Sequence, residues 1–310
     1  MYQGEKEEYT VRKPVLFLLC AASLLAGCDA RRGVVSGDGT SLLPADSAKN
    51  ISAQGGAQAS AVQATARPSC EPKESYALWK EAPHFIIYCL EQDKGCLDDL
   101  ASGLEAAYAK VTSDLDCPLD YKVPVTVCPD IKTLHSAIGY AGGTGQDDYI
   151  SAGTIGKNIY LVSPLNPGPV RTYEHMVRSS TMHEFTHVVI NAITNSSTWP
   201  TDVPRWLNEG VASYEGGPPM PMEILKQQVA NRVNQNRLPT FDNLASYGQD
   251  FITTGGYFFT LPAGSFFIET YGFVKVKQLI LSPDDYQGIF GKSEQDLWDE
   301  WAEYVKANYT

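Results

Sequence analysis

Two histidines four residues apart, with a glutamate directly after the first, form the segment His183-Glu184-Phe185-Thr186-His187. On an α-helix a step of four returns to the same face one turn later, so both imidazoles can reach a single ion. Neutral imidazole nitrogens bind zinc at about 2.0–2.1 Å, and a catalytic zinc takes three protein ligands and keeps a fourth position open. Glu184 stands beside the pair, where a carboxylate can take a proton from water. A third ligand is then required. Downstream, Pro204-Arg205-Trp206-Leu207-Asn208-Glu209-Gly210-Val211-Ala212 reads as a second helix, with Thr201 or Asp202 as its cap. Glu209 sits in it among apolar residues, and a buried carboxylate needs a partner.

Taken together, the two segments resemble those of the gluzincins: the thermolysin-like peptidases, the aminopeptidase N family and especially the bacterial peptidase MA-like proteins. The resemblance extends over most of the chain from the His84 region onward. It implies an α+β fold of the thermolysin-like zincin type, with a mixed-sheet upper subdomain, an active-site helix carrying the two histidines, and a helical lower subdomain. It also implies Zn2+ as cofactor, held by His183, His187 and Glu209, with Glu184 as general base. The expected reaction is hydrolysis of a peptide or protein substrate, zinc lowering the pKa of its bound water toward about 7.

The sequence departs from this family in two places. Gluzincins present a Tyr or His from the downstream subdomain to the oxyanion, and the aligned position falls at Leu261, which cannot donate; Tyr257 is the nearest candidate for that catalytic role. The aminopeptidase N branch carries an acidic residue on a Gly-Ala-Met-Glu-Asn strand, and Ser151-Ala152-Gly153-Thr154-Ile155 has none. An endopeptidase is therefore expected, with an extended peptide aligned along the Ser151–Ile155 strand through main-chain hydrogen bonds. Two other readings suit the same residues: a binding or assembly module that keeps the fold without turnover, and a hydrolase of cell-wall peptide crosslinks.

The elements that must position these residues follow from periodicity. His84–Leu90 and Val123–Cys128 are short β-favouring runs and predict strands, with Pro124 tolerated near the start of the second. Between them Leu97, Leu100, Leu104, Tyr108, Val111 and Leu115 recur at steps of three and four, the stripe of a buried helix face. A short helix is expected over Ile131–Ile138, a loop around Gly142–Gly145, and strands over Tyr149–Ile155 and Asn158–Val162 joined by a tight turn at Gly156-Lys157. After the Pro-rich stretch Pro164–Pro169, the run from Arg171 to Thr194 lacks Pro and Gly and predicts one long helix. Gly272 suits the end of a helix after Ser265–Tyr271, and Ser293 with Asp296 suits a capping box opening a last helix over Glu294–Asn308.

Other polar and aromatic residues receive plainer readings. His175 lies eight residues before His183 and is read as structural or surface, not as a ligand. Glu215 is a candidate to support a ligand histidine from behind. Trp206, Tyr257, Phe258, Phe259, Phe266 and Phe267 are expected mainly in the core.

The chain has 310 residues, a formal charge of −12 and 43% hydrophobic residues, which suits a globular domain and disfavours nucleic acid as a partner. Arg12 and Lys13 precede an apolar run from Val15 to Ala26 that is short for a membrane span and reads as a secretory signal, residues 1–27. The acidic stretch Glu5-Lys6-Glu7-Glu8 is foreign to such a signal, so initiation near Val11 is expected. Leu25-Ala26-Gly27-Cys28 resembles a bacterial lipobox, which implies a lipid anchor at Cys28 and a place in the cell envelope, facing the periplasm or exterior. Residues 28–70, rich in Ala, Ser, Gly and Gln, read as a flexible tether of roughly 35 Å reach. The peptidase-like domain then spans 71–310. An exported domain meets oxidising conditions, so two disulfides are expected among Cys70, Cys89, Cys96, Cys117 and Cys128, with Cys117–Cys128 as one pair.

Overall fold

The computed structural model describes residues 76–140, 150–198, 202–218, 220–246, 251 and 253–310. The signal and tether readings, Cys70, the Gly142–Gly145 loop, Tyr149 and Thr201 lie outside the described residues. The described chain is α+β, with a mixed sheet first and a helical region after it, as expected.

Five strands make the sheet: β1 (Ala77–Glu81), β2 (Phe85–Cys89), β3 (Val123–Cys128), β4 (Ala152–Ile155) and β5 (Asn158–Val162), in the order β1-β2-β3-β5-β4. β2, β3 and β5 run parallel, while β1 and β4 are antiparallel edges. Phe85, Ile87 and Cys89 of β2 and Val123, Val125 and Val127 of β3 alternate into the core, as a period of two requires. At the tight turn Ile155 faces Asn158, and Gly156 takes φ 57°, a left-handed conformation that favours glycine. β1 was not anticipated: its residues are largely exposed and show no alternation of burial.

Helix α1 (Leu97–Asp114) lays Leu97, Leu100, Leu104 and Val111 into the core, the stripe expected of it, with Tyr108 packed at its margin. α2 (Ile131–Ala137) is opened by Asp130, whose carboxylate accepts from the Thr133 amide at 2.7 Å. The long run after Arg171 is not one regular helix. It begins at Tyr173, makes a π turn over His175–Ser180, and becomes the α-helix α3 over Thr181–Ile193. A π turn forgoes the usual i to i−4 pairing, and the Thr181 hydroxyl meets the carbonyls of Val177 at 2.6 Å and Arg178 at 2.9 Å. Gly103 of α1 fits against this turn: a β-carbon there would lie 2.0 Å from the Val177 carbonyl oxygen.

Helix α4 spans Arg205–Gly216 and begins after Pro204, without a side-chain cap. Thr201 lies outside the described residues, and Pro204 stands at the capping position in place of the expected Asp202. Pro204 takes the flanking position with extended ψ, and its carbonyl accepts from Leu207 and Asn208, so the start is set by proline. Beyond it lie α5 (Met222–Asn234), α6 (Phe241–Ala245), α7 (Tyr257–Leu281), α8 (Tyr286–Phe290) and α9 (Glu294–Tyr309). Gly272 interrupts α7 with φ 80°, dividing it into two helical stretches, and the first starts well before Ser265. The capping box at Ser293 and Asp296 is present. Trp206 is stacked between Phe241 and Phe267, and Phe259 and Phe266 are buried around it, so the aromatic residues build the lower core.

The described cysteines Cys89, Cys96, Cys117 and Cys128 are free thiols, which overturns the expected disulfides among them. Cys89, Cys96 and Cys128 are instead small core side chains, and burial, before any charge, pushes their thiols up to about 12, 11 and 12.

Candidate metal centre

α3 and α4 pack against each other through small residues, which brings their polar side chains together. Gly216 closes α4 against α3 so tightly that a β-carbon on it would lie 2.8 Å from both the Cβ and the amide of His183. Six residues earlier, Gly210 meets α7, where a β-carbon would stand 2.8 Å from the Thr260 carbonyl and 3.0 Å from the Gly264 nitrogen. Glu209 is therefore held on a helix wedged between the His183 helix and α7.

His183 Nε2 and His187 Nε2 are 3.2 Å apart, and a Glu209 carboxylate oxygen lies 3.5 Å from the first and 4.0 Å from the second. These three residues form a group that could hold a metal ion, their ligand atoms all within 4.8 Å of one another. Donors about 2.0–2.2 Å from one tetrahedral ion stand roughly 3.4 Å apart, so the observed edges fit such an ion. Side-chain exposure is 22% for His183, 12% for Glu209 and 5% for His187, so the group is open toward solvent on the His183 side.

Asn208, fully buried, completes the setting: its Oδ1 accepts from His187 Nδ1 at 2.9 Å. With the proton on Nδ1, the Nε2 lone pair faces the other ligands. Sequence reasoning missed this residue, although its place directly before Glu209 was visible. The support expected from Glu215 goes elsewhere, since its buried carboxylate bonds to Lys110 on α1.

Glu184 is 6% exposed, and its Oε2 accepts from the Thr154 hydroxyl of β4 at 2.8 Å. Burial pushes its carboxyl up to about 7, with a further push from Glu209 and opposing pulls from His187 and Thr154. Glu209 moves the other way. Burial acts to raise it, but the contact and charge of His183, with the charges of His187 and Arg205, outweigh that and bring it down to about 2. Two neighbouring carboxyl groups are thus shifted in opposite directions by their surroundings.

β4 packs beside α3. Thr154 ties it to Glu184, and Asn191 of α3 donates to the Gly156 carbonyl at 2.8 Å, fixing the turn against the helix. Tyr257 stands at the start of α7, where its hydroxyl accepts from Arg205, one turn before Glu209 on α4. Leu261 is buried and apolar. No protein-family model matches the chain, and no curated protein sequence matches it either.

Proposed function

We propose that this chain is a zinc-dependent peptidase of the gluzincin type that cuts within peptide chains. The observation that carries the reading is the meeting of His183, His187 and Glu209 with a buried second acid, Glu184, beside them. Zinc, when bound, supplies Lewis-acid polarisation of a carbonyl and activation of water. Glu184, with a carboxyl poised near neutrality, takes a proton from the attacking water and returns it to the leaving amine. β4 is a sheet edge, so its outer main-chain groups can receive an extended peptide as a further strand. Tyr257, held by Arg205, is assigned to the oxyanion.

The test is zinc analysis combined with hydrolysis of a peptide library by the wild type and Glu184→Gln. Stoichiometric zinc in both proteins, with turnover only in the wild type, supports the reading. Zinc with no hydrolysis in either favours the binding or assembly module, a reading that the buried Leu261 at the donor position supports. Activity on purified peptidoglycan alone would favour the cell-wall hydrolase.

We also propose that the domain is carried on a lipid anchor at Cys28 in a bacterial envelope, on the strength of the Leu25–Cys28 segment and the polar stretch that follows. Fatty-acid labelling that persists in a Cys28→Ser variant contradicts it.

A further inference from the structure

Thr154 of β4 makes two contacts with one residue of α3. Its Oγ1 lies 2.8 Å from Glu184 Oε2 and 2.9 Å from the backbone carbonyl oxygen of Glu184. A glutamate side chain turns about its χ bonds, and one hydroxyl that touches both its carbonyl and its carboxylate fixes how those bonds are set. Thr154 is 1% exposed and Glu184 6%, so water competes little for the contact. Among the described residues Thr154 is the one hydrogen-bond donor to this carboxylate, and it engages Oε2 alone.

The hydroxyl is held as firmly as the group it holds. Thr154 pairs with Ile159 in the antiparallel β4–β5 ladder, and Ile159 is fully buried. The neighbouring Gly153 packs on Ile138, where a β-carbon would lie 3.3 Å from the Ile138 Cδ1. Two residues beyond Thr154, the Gly156 carbonyl accepts from Asn191 at 2.8 Å, and Asn191 follows Glu184 by about two helical turns. The hairpin is joined to α3 at two points, so the helix that carries the acid cannot shift against the strand without breaking one of them.

We infer that Thr154 is a positioning residue for the hydrolysis: its hydroxyl sets the orientation of the Glu184 carboxylate, engaging Oε2 and leaving Oε1 for the reacting water. It acts through Glu184. Rate is steep in such placement, since a reacting group displaced by about 1 Å costs about 10²-fold. The role rests on the peptidase reading; the contact itself does not.

The experiment uses the zinc-loaded full-length protein and a peptide that the wild type cuts. Thr154→Val keeps the shape of the side chain and removes the hydroxyl, whereas Thr154→Ser keeps the hydroxyl. Thr154→Val is expected to lower kcat about 10–100-fold, the size of one hydrogen bond to a charged group, with KM and zinc affinity within about twofold of the wild type. Thr154→Ser is expected to recover most of that loss. Thr154→Ala replaces the valine variant if that one does not fold. A kcat for Thr154→Val within about twofold of the wild type overturns the role while leaving the peptidase reading standing. So does a serine variant as slow as the valine one, because shape and not the hydroxyl is then what counts. A second readout needs no turnover: the Tm shifts of Thr154→Val, Glu184→Ala and the double variant. The double variant is expected to shift less than the two single variants together, because either substitution alone already loses the contact. Shifts that simply add overturn the role. A wild type that cuts no peptide overturns the role together with the peptidase reading, and only the contact, seen in the Tm shifts, then stands.

Discussion

At the scale of single residues, the centre depends on how each ligand is held as much as on which ligands are present. Asn208 orients His187 from a fully buried position, so Asn208→Ala leaves a buried Nδ1 without that acceptor. Zinc affinity is expected to fall about 10–100-fold, read by competition with a chelator of known affinity. Tyr257→Phe is expected to lower kcat by about 10²–10³ with little change in zinc content, the loss associated with one oxyanion donor. Unchanged turnover would remove Tyr257 from the site and leave it as the ring over which the Arg205 guanidinium sits. His183, Glu184 and His187 were legible in the sequence because their spacing is itself the geometry. Asn208 was not, because its role exists only once α4 has docked on α3.

At the scale of elements, the glycines of α4 decide how close its neighbours come. Gly210→Ala drives a β-carbon toward the Thr260 carbonyl and the backbone of Gly264, neither of which can rotate away. A loss of about 1–3 kcal/mol is expected, seen as a lowered Tm together with weakened zinc binding, because Glu209 moves with the helix. A lowered Tm with unchanged zinc affinity would show that the wedge serves stability alone. Elements whose cause is local were readable: the α1 stripe, the alternation of β3, the turn at Gly156 and the capping box at Ser293. The π turn was hidden because nothing between Arg171 and Thr194 breaks a helix; its visible features are the Thr181 hydroxyl and the fit of Gly103, the latter a contact from another helix. β1 escaped because an exposed edge carries no hydrophobic period.

At the scale of the whole molecule, the three candidate ligands come from two helices that meet only in the folded state, so on the proposed reading zinc held between them favours the native protein over the unfolded chain. Chelation should therefore lower Tm, and zinc at about a thousand times its Kd should add about 4 kcal/mol of stability. Equal melting curves with and without chelator would show that no metal links the two helices. The free thiols belong to this scale as well. An export signal argues for an oxidising compartment but contains no distances, and the fold uses Cys89, Cys96 and Cys128 as buried packing, with Cys117 part-buried.

The convergence of His183, His187 and Glu209 on one ion is tested most directly by equilibrium zinc titration of the wild type and Glu209→Gln against a competing chelator. One zinc per chain is expected in the wild type, with affinity reduced at least about 100-fold when the carboxylate is lost. Absence of stoichiometric zinc from the wild type, or equal affinity in the two proteins, would contradict it.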